Sequence, residues 1–161
     1  MKTILVLFVV TLSSIVLSQE LKTQFANDFS RWTFGEHQFS TTFINDYSKW
    51  DCGEHSFRTV FIEDWDNWRM NENIIIKTTF HDSFDNWTIT GLGSTIYVKT
   101  TFINDKNRWT ISGDLSGTMT TAFHNDYSNW KIDMTSDGAF EELKIAVTFI
   151  AIFSAIHDIH Q

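Results

Sequence analysis

The residues of this chain most able to do chemistry are acidic and histidine side chains at repeated positions. One aspartate occupies the same place in five copies of a short motif, as Asp28, Asp46, Asp64, Asp105 and Asp126. Carboxylate and main-chain oxygens are the ligands of Ca²⁺, which takes about six to eight of them. Asp46 and Asp126 are candidates for such a site. Aspartate and asparagine also form turns without a metal, because their side chains bond nearby backbone amides, and we expect this structural role.

Histidines provide the second set of candidate metal ligands. His157 and His160 flank Asp158 near the end of the sequence, and imidazole is a common ligand of zinc. His37 and His55 occupy equivalent places in two repeats. If those repeats lie two strands apart, the two histidines are about 9.6 Å from each other, which is too far for one zinc ion. We therefore predict no bound metal and no other cofactor.

The sequence shows no pattern typical of catalysis. We find no nucleophile elbow, no helix carrying paired histidines and no phosphate-binding glycine loop. The repeated carboxylates occur in near-identical copies, whereas an active site normally combines unlike residues. The chain also has 20 Asp plus Glu against 12 Lys plus Arg, a charge balance that argues against nucleic acid. We predict a protein that is not an enzyme.

The repeated aspartates belong to a motif that occurs six times in the chain. It consists of Phe, any residue, a polar pair, usually an aromatic residue, two polar residues and Trp. The six Phe and Trp pairs are Phe25 and Trp32, Phe43 and Trp50, Phe61 and Trp68, Phe80 and Trp87, Phe102 and Trp109, and Phe123 and Trp130. A motif at a nearly fixed period predicts a repeat architecture.

The residues around each motif alternate between apolar and polar, which is typical of β-strands. Each repeat is therefore predicted to form a hairpin. A four-residue loop at 45–48 would place Phe43 opposite Trp50 on one face of the sheet. A three-residue turn with a bulge would place them on opposite faces. We favour the four-residue loop, because both aromatic residues recur in every copy.

Two strands from each repeat and one from the tail give about 13 short strands. We predict an all-β fold, an antiparallel hairpin-repeat meander that closes into a barrel or sandwich, because a sheet face of Phe and Trp cannot stay in water. The alternative is a β-solenoid, which would stack the repeated aspartates about 4.8 Å apart. In either case we expect the tryptophans to be in the core rather than stacked on sugars.

The chain divides into three segments. Residues 1–18 resemble a cleaved secretory signal peptide, with Lys2 before an apolar run. Residues 19–139 carry the six-fold repeat. Residues 140–161 are predicted to be a degenerate capping repeat and a C-terminal tail. We expect this last segment to add a strand that closes the barrel near residues 21–25, although its apolar run also suits a short helix or a docking surface.

The signal peptide predicts a secreted protein, extracellular or periplasmic, without a helical membrane anchor after cleavage. We expect a non-enzymatic binding or structural module whose partner is an extracellular ligand or protein, with self-association as a further option. Two alternatives are a β-barrel that carries a small apolar ligand and a curli-like fibre subunit that assembles with itself. An outer-membrane barrel is less consistent with strands of about seven residues, because such barrels need about 9 to 11.

Overall fold

The computed structural model describes residues 17–135 and 141–159. This part of the chain forms twelve strands followed by one helix. The elements are β1 (Leu17–Phe25), β2 (Asp28–Phe34), β3 (His37–Phe43), β4 (Asp46–Cys52), β5 (His55–Thr59), β6 (Asn67–Met70), β7 (Ile74–Phe80), β8 (Ser83–Gly91), β9 (Ser94–Thr100), β10 (Arg108–Gly113), β11 (Gly117–Thr121), β12 (Asn129–Met134) and α1 (Glu141–Ile159).

The strands form a closed antiparallel barrel. Each strand pairs with its neighbours in sequence, and β1 pairs with β12 with Leu21 opposite Trp130. The predicted meander is therefore confirmed, and the solenoid alternative is wrong. Equivalent residues of neighbouring repeats lie two strands apart, so the repeated carboxylates are not stacked on adjacent strands.

Alternation along each strand separates an apolar interior from a polar wall. In β2, Trp32 and Phe34 are fully buried, whereas Arg31 is exposed and Thr33 is half-buried. All six repeat tryptophans are at most 1% exposed, so the prediction that they belong to the core is confirmed. Cross-strand pairs on the outside include Lys77 with Thr88, which keeps the wall hydrated.

The turn inside each motif differs from the predicted loop. In the second repeat Trp50 lies opposite Thr41, and Phe43 lies opposite Asp46, with a shift of register between the two pairs. The turn itself is Ile44 and Asn45, and Asn45 has a φ of 61°, a left-handed conformation that asparagine tolerates. Three residues separate Asp46 from Trp50, whereas one separates Thr41 from Phe43, so β4 carries two extra residues at this irregularity. The four-residue loop was wrong, because Trp50 is buried while Phe43 is 58% exposed.

The C-terminal segment is a helix inside the barrel, so the predicted thirteenth strand is wrong. The side chains at 145–147 and 149–152 are all at most 1% exposed, which shows burial on every side of the helix. Phe149 stacks on Phe57 with ring centroids 4.4 Å apart. Since β1 and β12 already pair, a strand placed inside would have no edge to bond, whereas a helix satisfies its own backbone groups.

The barrel has two different ends. At one, which we call the phenylalanine end, all six repeat motifs make their turns. At the other, the glycine end, the turns contain residues such as Gly35 and Gly53, both with positive φ. Helix α1 starts at the glycine end, where His37 Nε2 lies 3.0 Å from Glu141 Oε1. It runs towards the phenylalanine end, where the rings of His157 and Phe84 are 4.2 Å apart.

Candidate functional site

Apolar side chains are exposed mainly at the phenylalanine end. Of the 12 large apolar residues exposed in the described part of the chain, 9 lie there. We call these nine the phenylalanine rim: Phe25, Phe43, Phe61, Phe80, Phe102 and Phe123, with Ile44, Ile62 and Ile103. The phenylalanines are 58–70% exposed and the isoleucines 91–94% exposed. Such a concentration of exposed apolar surface is typical of an interaction site.

The buried tryptophans hold the turns in this shape. The indole Nε1 of Trp50 donates a hydrogen bond of 2.9 Å to the carbonyl oxygen of Tyr47. The same bond, 2.8–2.9 Å long, occurs in the other five repeats. The acceptor is an aromatic residue in five repeats and Lys106 in the fifth copy, and the five aromatic side chains, Tyr47 among them, pack against the core. The preceding Phe43 and Ile44 are left outside, as far from the helix as the turn allows.

Ionised carboxylates stand directly behind the rim. Asp46 Oδ1 accepts hydrogen bonds from the Ser48 hydroxyl and, at 3.0 Å, from the Ser48 amide. These bonds lower the pKa of Asp46. The same pair of bonds from Ser30 lowers the pKa of Asp28, and bonds from Asn107 lower the pKa of Asp105. The phenylalanine end therefore carries negative charge at neutral pH.

The metal candidates do not gather into one site. Among the described residues, the group that could hold a metal is Asp66, His81 and Asp82, so neither Asp46 nor Asp126 belongs to it. Asp126 instead accepts bonds from Ser128, as Asp46 does from Ser48. His157 lies against the ring of Phe84. His160 lies outside the described residues.

The Asp66 side chain is best explained as a hydrogen-bonded link between two neighbouring hairpins. Asp66 is 6% exposed, and its Oδ1 accepts a bond of 2.8 Å from Thr78 Oγ1 and one of 3.1 Å from the Asp82 amide. His81 lies at the surface, with Nε2 3.6 Å from Asp66 Oδ2. A depression of about 250 Å³ adjoins the group.

The neutral side chain of Asn107 makes the same hydrogen-bonded link between hairpins two repeats later. Asn107 Oδ1 accepts bonds from Thr121 Oγ1 at 3.0 Å and from the Asn125 amide at 2.7 Å. Because a neutral amide accepts the same hydrogen bonds as the carboxylate, the Asp66 arrangement is explained without a bound cation. The sequence analysis missed both residues, although their common position two residues before Trp was a usable signal.

An open depression of about 1010 Å³ lies beside the rim, between the first, second and last hairpins. Its lining mixes polar groups such as Asp28 and Asp126 with the aromatic residues Phe29, Tyr47 and Tyr127. The barrel interior proper is occupied by α1, whose residues from Leu143 to Ala155 are almost all buried. The depression therefore belongs to the outer margin of the phenylalanine end.

The sequence analysis missed the six phenylalanines of the rim, because it placed them in the core. The usable signal was the residue after Phe, which is isoleucine in three copies although it falls in a turn. An apolar residue at a turn tip lacks the hydrogen-bonding groups that favour turns.

No helix within residues 17–135 and 141–159 combines the length and hydropathy needed to cross a bilayer. Comparisons with protein-family models, curated proteins and solved structures give no match.

Proposed function

We propose that this protein is a secreted, non-enzymatic binding module that contacts an apolar partner through the phenylalanine rim. The observation that carries the proposal is the exposure of all six repeat phenylalanines at one end of the barrel. Full burial of one such side chain is worth about 1.5 to 3 kcal/mol. A rim of this size left in water is therefore a substantial source of binding energy.

The location of the other apolar groups supports the rim as the contact surface. Among the residues that the structure describes, the outer wall contributes only Ile75 and Tyr97 to the large exposed apolar residues, and the glycine end contributes Leu92. These three lie on strands β7 and β9, on either side of β8, and in the turn between β8 and β9, and they form a smaller apolar group than the nine residues of the rim. A partner that buries apolar surface therefore gains most at the phenylalanine end.

Secretion rests on residues 1–18, most of which lie outside the described residues. The segment has a positive start, an apolar run and small residues before Gln19, as signal peptides do. The single cysteine, Cys52, is buried, so the fold needs no disulfide in an oxidising compartment.

The two alternative functions find less support. A carrier of a small apolar ligand would need the barrel interior, which α1 fills with side chains such as Phe149 and Phe153. A fibre built by strand addition would need an open sheet edge, whereas closure of the barrel pairs β1 with β12.

Retention on a phenyl-substituted column tests whether the rim is the accessible apolar surface. The test variant is Ile44→Ser, Ile62→Ser and Ile103→Ser together, and the matched control is Ile75→Ser, Leu92→Ser and Tyr97→Ser together. We expect the rim variant to elute at clearly higher salt than the control. Equal elution of wild type and rim variant would refute the proposal.

Secretion needs its own measurement. The full chain is expressed in a host with a secretory pathway, and the N-terminus of the protein in the medium is sequenced. We expect it to begin near Gln19. Full-length protein retained inside the cells would contradict this part of the proposal.

A further inference from the structure

We propose that the apolar partner of the phenylalanine rim is the surface of a lipid bilayer rich in zwitterionic choline headgroups. This inference rests on the proposed function, because it names the partner of the same rim. It depends on the repetition of the rim, its depth, and the charge and polarity of its surroundings.

Six equivalent turns favour a partner whose surface is uniform in every direction along its plane. The six turns lie two strands apart, about 9.6 Å along the sheet, on a ring roughly 20 Å across. The six phenylalanines are exposed to similar degrees, 58–70%. A protein would need six matching pockets to bury them all, whereas a fluid bilayer accommodates each one independently.

The isoleucines and phenylalanines of the rim lie at different depths, as expected for side chains that insert shallowly into a bilayer. The isoleucines at the turn tips, Ile44, Ile62 and Ile103, are 91–94% exposed, so they protrude further than the phenylalanines beside them. Isoleucine is suited to the acyl region, and phenylalanine is among the apolar residues that insert at the boundary between headgroups and acyl chains. Insertion of this kind would be limited to the turns, since the polar wall begins directly behind them.

Charge discriminates between kinds of lipid. The carboxylates of Asp28, Asp46 and Asp105 stand behind the tips and are ionised at neutral pH. Basic side chains lie near these carboxylates, namely Arg31, Lys49 and Arg108. The six motifs nevertheless hold nine Asp plus Glu against four Lys plus Arg, so this end would repel an anionic membrane. A choline headgroup instead presents its cation outermost, where it meets these carboxylates and the faces of the rim phenylalanines. Phe43 is an exception, because Lys49 Nζ already lies 5.6 Å from the centroid of its ring.

The same charges oppose the rim of a second copy as the occupant. Two rims facing each other would bring two rings of aspartates together, and like charges at close range repel. The chain as a whole is also acidic, with a formal charge of -8. A bilayer of neutral lipids carries no such penalty.

Sedimentation with sucrose-loaded vesicles tests the proposal. The full chain, as processed by its expression host, is mixed with vesicles of phosphatidylcholine or of phosphatidylcholine with one third phosphatidylserine. We expect binding to the first and weaker binding to the second. The rim variant Ile44→Ser, Ile62→Ser and Ile103→Ser should bind at least about tenfold more weakly. The control Ile75→Ser, Leu92→Ser and Tyr97→Ser should bind as wild type does.

Three results would overturn the lipid proposal. They are no binding to either kind of vesicle, stronger binding to the anionic vesicles, and equal loss of binding in both variants. If vesicles are not bound but the phenyl column still separates the variants, the rim remains a contact surface and its partner is not a membrane. Dimers that the rim variant abolishes, in the absence of vesicle binding, would assign the rim to a second copy. If the column does not separate the variants, the proposed function itself fails.

Discussion

The two ends of the barrel solve the same problem, joining neighbouring strands, in different ways. At the phenylalanine end, all six turns have a positive φ two residues after the phenylalanine and leave that phenylalanine exposed. Two residues join β1 to β2, β3 to β4 and β7 to β8, and seven residues join the other three strand pairs of this end. The glycine end uses turns of several lengths, and successive repeat phenylalanines are accordingly 18, 18, 19, 22 and 21 residues apart. There the chain is crowded, since a Cβ at Gly117 would lie 1.9 Å from the Asp133 carbonyl oxygen.

This difference shows that barrel closure does not account for the recurrence of an exposed phenylalanine in every repeat. Closure tolerates variation at the glycine end, where α1 also enters. The phenylalanine side chains, by contrast, recur in every repeat although they contribute little to the core. Folding does not explain why an exposed phenylalanine recurs in all six repeats, whereas a binding surface formed by all six turns does.

The largest expected effect contrasts a phenylalanine inside the barrel with one on the rim. Phe149→Ala removes a ring that stacks on Phe57 and meets Trp68 edge-on at 4.9 Å. We expect a loss of about 3 to 5 kcal/mol in the free energy of unfolding. Phe61→Ala, at a position 70% exposed, should change it by no more than about 0.5 kcal/mol. Urea denaturation measures both, and similar losses would contradict the different placement of the two rings.

A second prediction concerns crowding at the glycine end. Gly117→Ala places a methyl group against the backbone of Asp133, and we expect a loss of about 3 kcal/mol. The control is Gly53→Ala, where nothing lies within 4 Å of the added Cβ but φ is +60°. This control should cost about 1 to 2 kcal/mol, from the left-handed conformation alone. A Gly117 variant as stable as wild type would show that the close approach is absent.

A smaller effect is expected at a turn of the phenylalanine end. Glu63 has a φ of 60°, a conformation that costs a residue with a Cβ about 1 to 2 kcal/mol. Glycine avoids that cost but loses more chain entropy on folding, so Glu63→Gly should stabilise the protein by about 0.5 to 1 kcal/mol. Asn45→Gly, at the equivalent position, should gain less. Thermal unfolding checks the order, and destabilisation by Glu63→Gly would contradict the turn geometry.

The smallest effect tests one carboxylate at each end of the barrel by its response to acid. Because hydrogen bonds lower the pKa of Asp46 in the folded protein, its contribution to stability is complete above the ordinary carboxyl pKa. It is lost as the pH falls through the lower pKa of the folded state. We expect Asp46→Asn to be less stable than wild type at pH 7 and equal to it near pH 2, in urea titrations at both pH values.

Glu141 provides the corresponding test at the glycine end. Its burial raises its pKa, but hydrogen bonds from His37 and Lys144 outweigh this and lower it. Glu141→Gln should therefore also lose its deficit as the pH falls below the ordinary carboxyl pKa. Deficits that grow towards low pH in either variant would contradict these contacts.

The strands and their closure could be predicted from sequence because the alternation around Trp32 or Trp109 is local. The exposure of the phenylalanines could not. In the second repeat, for example, the register shifts between the pair Thr41 and Trp50 and the pair Phe43 and Asp46, so Phe43 does not pair with Trp50. The C-terminal helix could not be predicted either, because a continuous apolar run does not distinguish the period of a helix from that of a strand. Asp66 was missed for a different reason, since its partners Thr78 and Asp82 belong to the next hairpin.

The most direct test of the central claim measures which end of the barrel meets lipid. Ile44→Cys and Leu92→Cys place one reactive thiol at each end, for labelling with an environment-sensitive dye. The native thiol of Cys52 should not compete, because it is buried and its pKa is raised to about 11. With phosphatidylcholine vesicles we predict that the dye at position 44 shifts to the blue and the dye at position 92 does not. Equal shifts at both positions, or a shift at position 92 alone, would contradict the account.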